Sequence, residues 1–125
     1  MKVDLLIIDD HADYVSRVVE LISSDPDLMY ISTANDYAGA VQALTHTNPH
    51  IVILDLNLPD KSGIDVLRFI RERKIKARVI MITNHATPVY KKLCIELGAN
   101  YFLDKSNDFD MIPSVIETIC TQIRN

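Results

Sequence analysis

The chain has 125 residues, 48% of them hydrophobic, and a formal charge of −4 at pH 7; this suits one domain and weighs against a general nucleic-acid binder. No apolar run reaches the roughly 20 residues of a membrane span, and the opening MKVDLL lacks the features of a secretory signal, so a cytoplasmic protein with no membrane partner is expected. Cys94 and Cys120 form no C-x-x-C pair and read as small buried hydrophobes, not as zinc ligands or a redox couple.

The first apolar run, residues 3 to 8 (VDLLII), leads straight into Asp9, Asp10 and His11. Val15, Val18, Val19 and Ile22 then repeat at helical spacing. A second run, 28 to 33 (LMYIST), precedes a weaker helical pattern on Ala40, Val41 and Leu44. The third, 51 to 54 (IVIL), ends on Asp55 and is followed by Ile64, Leu67 and Ile70. The fourth, 78 to 83 (RVIMIT), ends on Thr83; beyond it Thr87 and Pro88 read as N-cap and first helical residue, and Gly98 as the residue past the helix end. The fifth, 99 to 103 (ANYFL), leads to Lys105. Ile112, Ile116, Ile119 and Ile123 mark a last helix, whose Pro113 is tolerated only in a first turn, so the helix is expected to start near Asp108 or Asp110. All five runs have the character of fully buried strands.

Strand and helix thus alternate five times. Parallel strands joined by right-handed crossovers put helices on both faces of one sheet, so the fold expected is α/β, an open doubly wound (βα)5 sandwich. Ligands of such sheets bind beyond the carboxyl ends of the strands. Asp9, Asp10, Asp55, Thr83 and Lys105 all fall there.

Clustered carboxylates make an oxygen-rich site for a hard divalent cation, magnesium ahead of calcium. Without the cation the acids raise one another's pKa; with it they stay ionised, and one is available as a nucleophile. A carboxylate facing magnesium, a lysine and a hydroxyl suits phosphoryl transfer, with an aspartyl phosphate as product. Aspartates also cap helices after parallel strands. The coincidence with Thr83 and Lys105 at two other strand ends is what makes the pattern specific.

The acidic pair in IIDDH, the context ILDLNLPDKSG, the threonine of MITN and the stretch LGANYFLDKS resemble the receiver domain of bacterial two-component response regulators over essentially the whole chain. The resemblance implies a five-stranded parallel sheet of flavodoxin-like order 2-1-3-4-5. It implies Asp55 as phosphoacceptor, with magnesium (manganese as a substitute) held by Asp9, Asp10, Asp55 and the backbone carbonyl of Asn57. Thr83 and Lys105 would bind phosphoryl oxygens, and Phe102 would repack as Thr83 moves. Phe102 stands where the family usually has a tyrosine or another aromatic, so a hydroxyl is missing there, and Ser106 stands where a proline is common.

The implied donor is a phosphohistidine on a sensor histidine kinase or a histidine phosphotransfer protein. The implied readout is a downstream protein partner at the surface of the fourth helix, fifth strand and fifth helix, including Tyr90, Lys91, Lys92 and Tyr101. A homodimer through that surface is possible. A stand-alone receiver domain over residues 1–125, without an output domain and without direct DNA contact, is expected. It would promote only its own phosphorylation and dephosphorylation and would not be a turnover enzyme. Two other classes compete: a phosphorylation-independent binding module of the same fold, and a magnesium-dependent phosphatase with an aspartyl nucleophile. The latter wants D-x-D after its first strand, where this chain has adjacent aspartates.

His11 reads as the start of the loop into the first helix rather than a ligand, since hard cations prefer oxygen. His85 and Asn57 are candidates for tuning dephosphorylation through water access. The run RFIRERKIKAR, residues 68 to 78, holds six cations and one acid and reads as a solvated helix end, favoured by the helix dipole.

Overall fold

Successive strand residues point to opposite faces of a sheet, and that division builds two cores here. The computed structural model describes residues 2–124. Its elements are β1 (Val3–Ile8), α1 (Ala12–Ile22), β2 (Leu28–Ala34), α2 (Tyr37–His46), β3 (Ile51–Asp55), α3 (Gly63–Glu72), β4 (Arg78–Thr83), α4 (Pro88–Glu96), β5 (Tyr101–Asp104), a 3-10 turn (Phe109–Met111) and α5 (Ile112–Arg124). The strands form one parallel sheet in the order β2-β1-β3-β4-β5, the doubly wound fold and strand order expected.

Leu5, Ile7, Ile53, Ile80 and Ile82 face α1 and α5, packing against Val18, Ile22, Ile112, Ile116 and Ile119. The alternate residues, Leu6, Ile8, Val52, Leu54, Val79 and Met81, pack against Ala40 and Leu44 of α2, Val66, Leu67 and Ile70 of α3, and Cys94 of α4. Each such buried aliphatic side chain contributes about 1.5–3 kcal/mol. Both cysteines are buried and free, as expected.

Three expectations need correction. Residues 28–33 are not a buried strand: β2 is a sheet edge, with Met29 and Tyr30 exposed. Residues 99 and 100 precede β5, because Asn100 pairs with β4 partly through its side chain, its Oδ1 accepting the Val79 amide at 2.8 Å. Helical structure does begin beside Asp108, but its first turn, Phe109–Met111, is 3-10, and the α-helix itself starts only at Ile112. Pro113 still falls in the first turn of α5.

The caps of α4 are as read: Thr87 accepts the Tyr90 amide, Pro88 opens the helix, and Gly98 adopts φ +109° beyond it. The basic run is only partly a solvated helix end. Arg71 is half-buried, and its guanidinium donates to the carbonyls of Ile75, Ala77 and Gly98 and to Asn100 Oδ1. It ties the end of α3 to the start of β4 and to the turn after α4. A Cβ on Gly98 would meet Arg71 at 2.8 Å.

Candidate functional site at the carboxyl rim of the sheet

The rim is set by strand parity. Asp9, Asp55 and Lys105 lie two residues beyond Ile7, Ile53 and Leu103, which all face α1 and α5. The three polar side chains continue that face and converge. Lys105 Nζ lies 2.8 Å from Asp9 Oδ2 and 3.2 Å from Asp55 Oδ2. Asp9, Asp55, Thr83 and Lys105 are 3%, 1%, 0% and 4% exposed, so two carboxylates and one ammonium share a desolvated site. Asp10 has the opposite parity and is exposed.

Local structure holds Asp55 at this point. The loop after β3 returns through the Asn57–Ser62 bridge, and Ser62 opens α3 with a capping box to Asp65. Gly63 packs so closely that a Cβ there would lie 2.1 Å from the Asp55 carbonyl oxygen. Asp55 Oδ1 accepts the Asn57 amide at 3.1 Å. Burial nonetheless pushes the Asp55 carboxyl above its ordinary range, with the Asp9 charge adding to the rise and the Asn57 amide and Lys105 opposing it.

Thr83 continues the other face, two residues beyond Met81, and its Oγ1 accepts the His85 amide at 3.0 Å. Phe102 pairs in register with Met81 and is half-buried on that same face. Phe102 and Thr83 are therefore successive same-face positions on neighbouring strands. Asn57 and His85 are exposed in the loops after β3 and β4; among the described residues, neither side chain hydrogen-bonds to the acids.

Two participants go beyond the sequence reading. His11 stands in the acid cluster and not merely at a loop start: its Nδ1 lies 3.0 Å from Asp9 Oδ1 and 3.3 Å from Asp10 Oδ1. Tyr14, four residues before Val18 on the buried stripe of α1, places its ring 4.6 Å from Lys105 Nζ, a cation–π contact. That stripe was the only available signal for Tyr14. Its hydroxyl is buried without a hydrogen-bond partner, and its phenol is pushed up to about 12 by burial and then by the Asp9 charge.

The donor set fits a hard divalent cation. One oxygen each of Asp9, Asp10 and Asp55 and one His11 nitrogen lie within 4.8 Å of one another. Asp9 Oδ2 is buried and has the Lys105 ammonium, 2.8 Å away, as its partner. Carboxylates packed this tightly need positive charge beyond one ammonium. Clefts open on both sides, one of about 680 Å³ reaching Asp9, Asp10 and His46, the other of about 430 Å³ reaching His11, Arg17 and Lys105.

Comparison with known proteins places this geometry. The family model described as the response regulator receiver domain matches residues 5–117. EvgA of Escherichia coli K12, a DNA-binding transcriptional activator, is 30% identical over 112 residues, which cover 90% of this chain and 54% of EvgA. DegU of Brevibacillus brevis, a transcriptional regulatory protein, is 24% identical over 118 residues, covering 94% of this chain and 50% of DegU. The chain thus spans about half the length of these curated relatives. They lend no support to the expected single-domain organisation, and EvgA's description runs against the expected absence of DNA contact. Among solved structures, the signal receiver domain of a protein described as a Luxo repressor from Vibrio parahaemolyticus superposes with a TM-score of 0.92 at 26% identity, covering 99% of this chain and 94% of that one. Among the described residues no helix is long and apolar enough to cross a membrane. The match over nearly all of the sequence, the doubly wound sheet and the acid-lysine rim lead to one conclusion: the chain belongs to the receiver domain family of two-component response regulators.

Proposed function

We propose that this domain is a cytoplasmic phosphorylation switch whose acceptor is Asp55. The observation that carries the reading is a buried carboxylate at the end of the central strand β3, with Lys105 Nζ 3.2 Å away and Asp9 beside it. An Asp55 oxygen attacks the phosphorus of a phosphohistidine on a kinase or phosphotransfer protein. The P–O bond forms as the P–N bond breaks, and the released imidazole nitrogen takes a proton from water. Catalysis here is positioning and neutralisation of charge on the phosphoryl oxygens. Asp9, Asp10, Asp55 and the Asn57 carbonyl would hold a divalent cation, which would supply part of that neutralisation. Lys105 supplies the rest on the α1 and α5 side, and Thr83 receives a phosphoryl oxygen on the other.

The domain modifies only itself and turns over no separate substrate. The added phosphoryl charge draws Lys105 and Thr83 inward. Thr83 then withdraws its hydroxyl from the His85 amide, loosening the loop before α4, and Phe102 repacks behind it. The surface of α4, β5 and α5 is biased toward one of two states, and a downstream protein binds that state better. Asn57 and His85, exposed in the flanking loops, set the access of water to the aspartyl phosphate.

Intact-mass measurement after incubation with a small-molecule phosphodonor tests this. A magnesium-dependent gain of one phosphoryl group, absent in Asp55→Asn, is expected. No gain under conditions that label another receiver, and none from a histidine kinase, would replace the switch with a constitutive binding module.

A further inference from the structure

His11 stands at the rim, and this chemistry does not use it. Its Nδ1 lies 3.0, 3.3 and 3.6 Å from oxygens of Asp9, Asp10 and Asp55. Neighbouring ligands on an octahedral cation bound at about 2.1 Å stand about 3.0 Å apart. The three separations are those of one nitrogen and three oxygens about to share a cation, after shifts of a few tenths of an ångström.

Hydrogen bonding leaves the same nitrogen in conflict. It also lies 3.3 Å from Lys105 Nζ, which can only donate, whereas the carboxylates only accept. A proton on Nδ1 opposes the ammonium, and a bare lone pair opposes the acids. A cation between nitrogen and acids satisfies the lone pair, and the proton then resides on Nε2. The ring is free to adjust: the side chain is 55% exposed and makes no capping bond to α1. Within the cluster the buried Asp9 Oδ2 has the Lys105 ammonium, 2.8 Å away, as its counter-charge, which leaves Asp9 Oδ1 on the side of the His11 ring.

We propose that His11 Nδ1 joins Asp9, Asp10 and Asp55 as a metal ligand, so that this receiver favours a divalent transition metal such as manganese or cobalt over magnesium. An imidazole adds affinity for first-row transition ions and little for magnesium, which prefers oxygen. The proposal rests on reading the three carboxylates as a cation site, and it adds the ligand that sets which cation is preferred.

The test titrates Mn2+, Co2+ and Mg2+ separately into the metal-free 125-residue chain and into His11→Ala and His11→Asn, reading affinity by calorimetry. Electron spin-echo spectroscopy of the Mn2+ complex reads nitrogen coordination directly. A nitrogen coupling in the natural chain, lost in both variants, is expected. Affinity for Mn2+ and Co2+ should fall about tenfold or more, while that for Mg2+ changes by less than about twofold. Thermal melts of both variants identify any loss that comes from unfolding, and the Asn variant retains a donor toward Asp9. A Mn2+ complex of the natural chain without nitrogen coupling, coupling that survives both substitutions, or equal losses for Mg2+ and Mn2+ would overturn His11 as a ligand and leave the carboxylate site standing. Failure of all three cations to bind the natural chain would remove the carboxylate site itself, and the inference with it.

Discussion

Asp55→Asn is predicted to stabilise the metal-free protein, although it removes an ion pair. The Asp55 carboxylate lies within 4.8 Å of Asp9's, and at an effective dielectric near 20 their repulsion is about 3.5 kcal/mol or more. Its attraction to Lys105 at 3.2 Å is about 5 kcal/mol on the same scale. Desolvating a buried ion costs several kcal/mol more. The neutral, nearly isosteric amide loses the attraction but escapes both penalties, for a net gain of about 1–2 kcal/mol. In a chain of this size that raises the melting temperature by about 4–8 °C. The pH dependence follows from the raised carboxyl. A carboxyl raised by folding favours the native state when protonated, and that contribution is lost as pH rises through the folded value. The advantage of Asp55→Asn is therefore largest above the raised value and shrinks as pH falls through it toward about 3.9, the ordinary carboxylate value. Saturating Mg2+ at 100 times Kd should stabilise the natural chain by about 2.7 kcal/mol and the variant by much less. Calorimetric melts across pH, with and without Mg2+, decide it. An Asp55→Asn protein that melts lower than the natural chain at neutral pH without metal would refute the charge balance described here.

Substitutions at three further positions probe the scaffold. Tyr14→Phe keeps the ring under Lys105 and deletes an unpartnered hydroxyl, so its stability should match or exceed the natural chain by up to about 1 kcal/mol; Tyr14→Leu should slow phosphoryl acceptance about 2- to 30-fold, the worth of a cation–π contact, as read by the rate of mass gain. Arg71→Ala should cost about 2–4 kcal/mol by leaving the half-buried carbonyls of Ile75 and Ala77, just before β4, and of Gly98 after α4 unpaired, and Arg71→Lys should recover little of it in denaturant unfolding, because one ammonium cannot span the same acceptors. Gly63→Ala should cost about 3 kcal/mol or more, since its methyl meets the Asp55 carbonyl, and should lower the rate of phosphoryl acceptance; an unchanged melting temperature would show that α3 can move away from β3.

The sequence by itself determined the elements and the rim. Apolar runs broken by charged or hydroxyl residues put Asp9, Asp10, Asp55, Thr83 and Lys105 at strand ends, because a buried strand must stop where its residues can no longer be desolvated cheaply. Thr87, Pro88 and Gly98 likewise announced their helix ends through backbone preferences that are local. Tertiary structure decided what meets what. That Lys105 reaches both Asp9 and Asp55 depends on strand order together with the parity that sends all three toward α1. Tyr14 under the ammonium, Arg71 across three carbonyls, β2 at the edge and His11 among the acids are contacts between segments or loop rotamers. Periodicity records which residues are buried and not which distant residues cover them. The sequence therefore displayed Asp55 as the proposed acceptor and the chain's likeness to receivers, while the positions of the charges around it came only from folding.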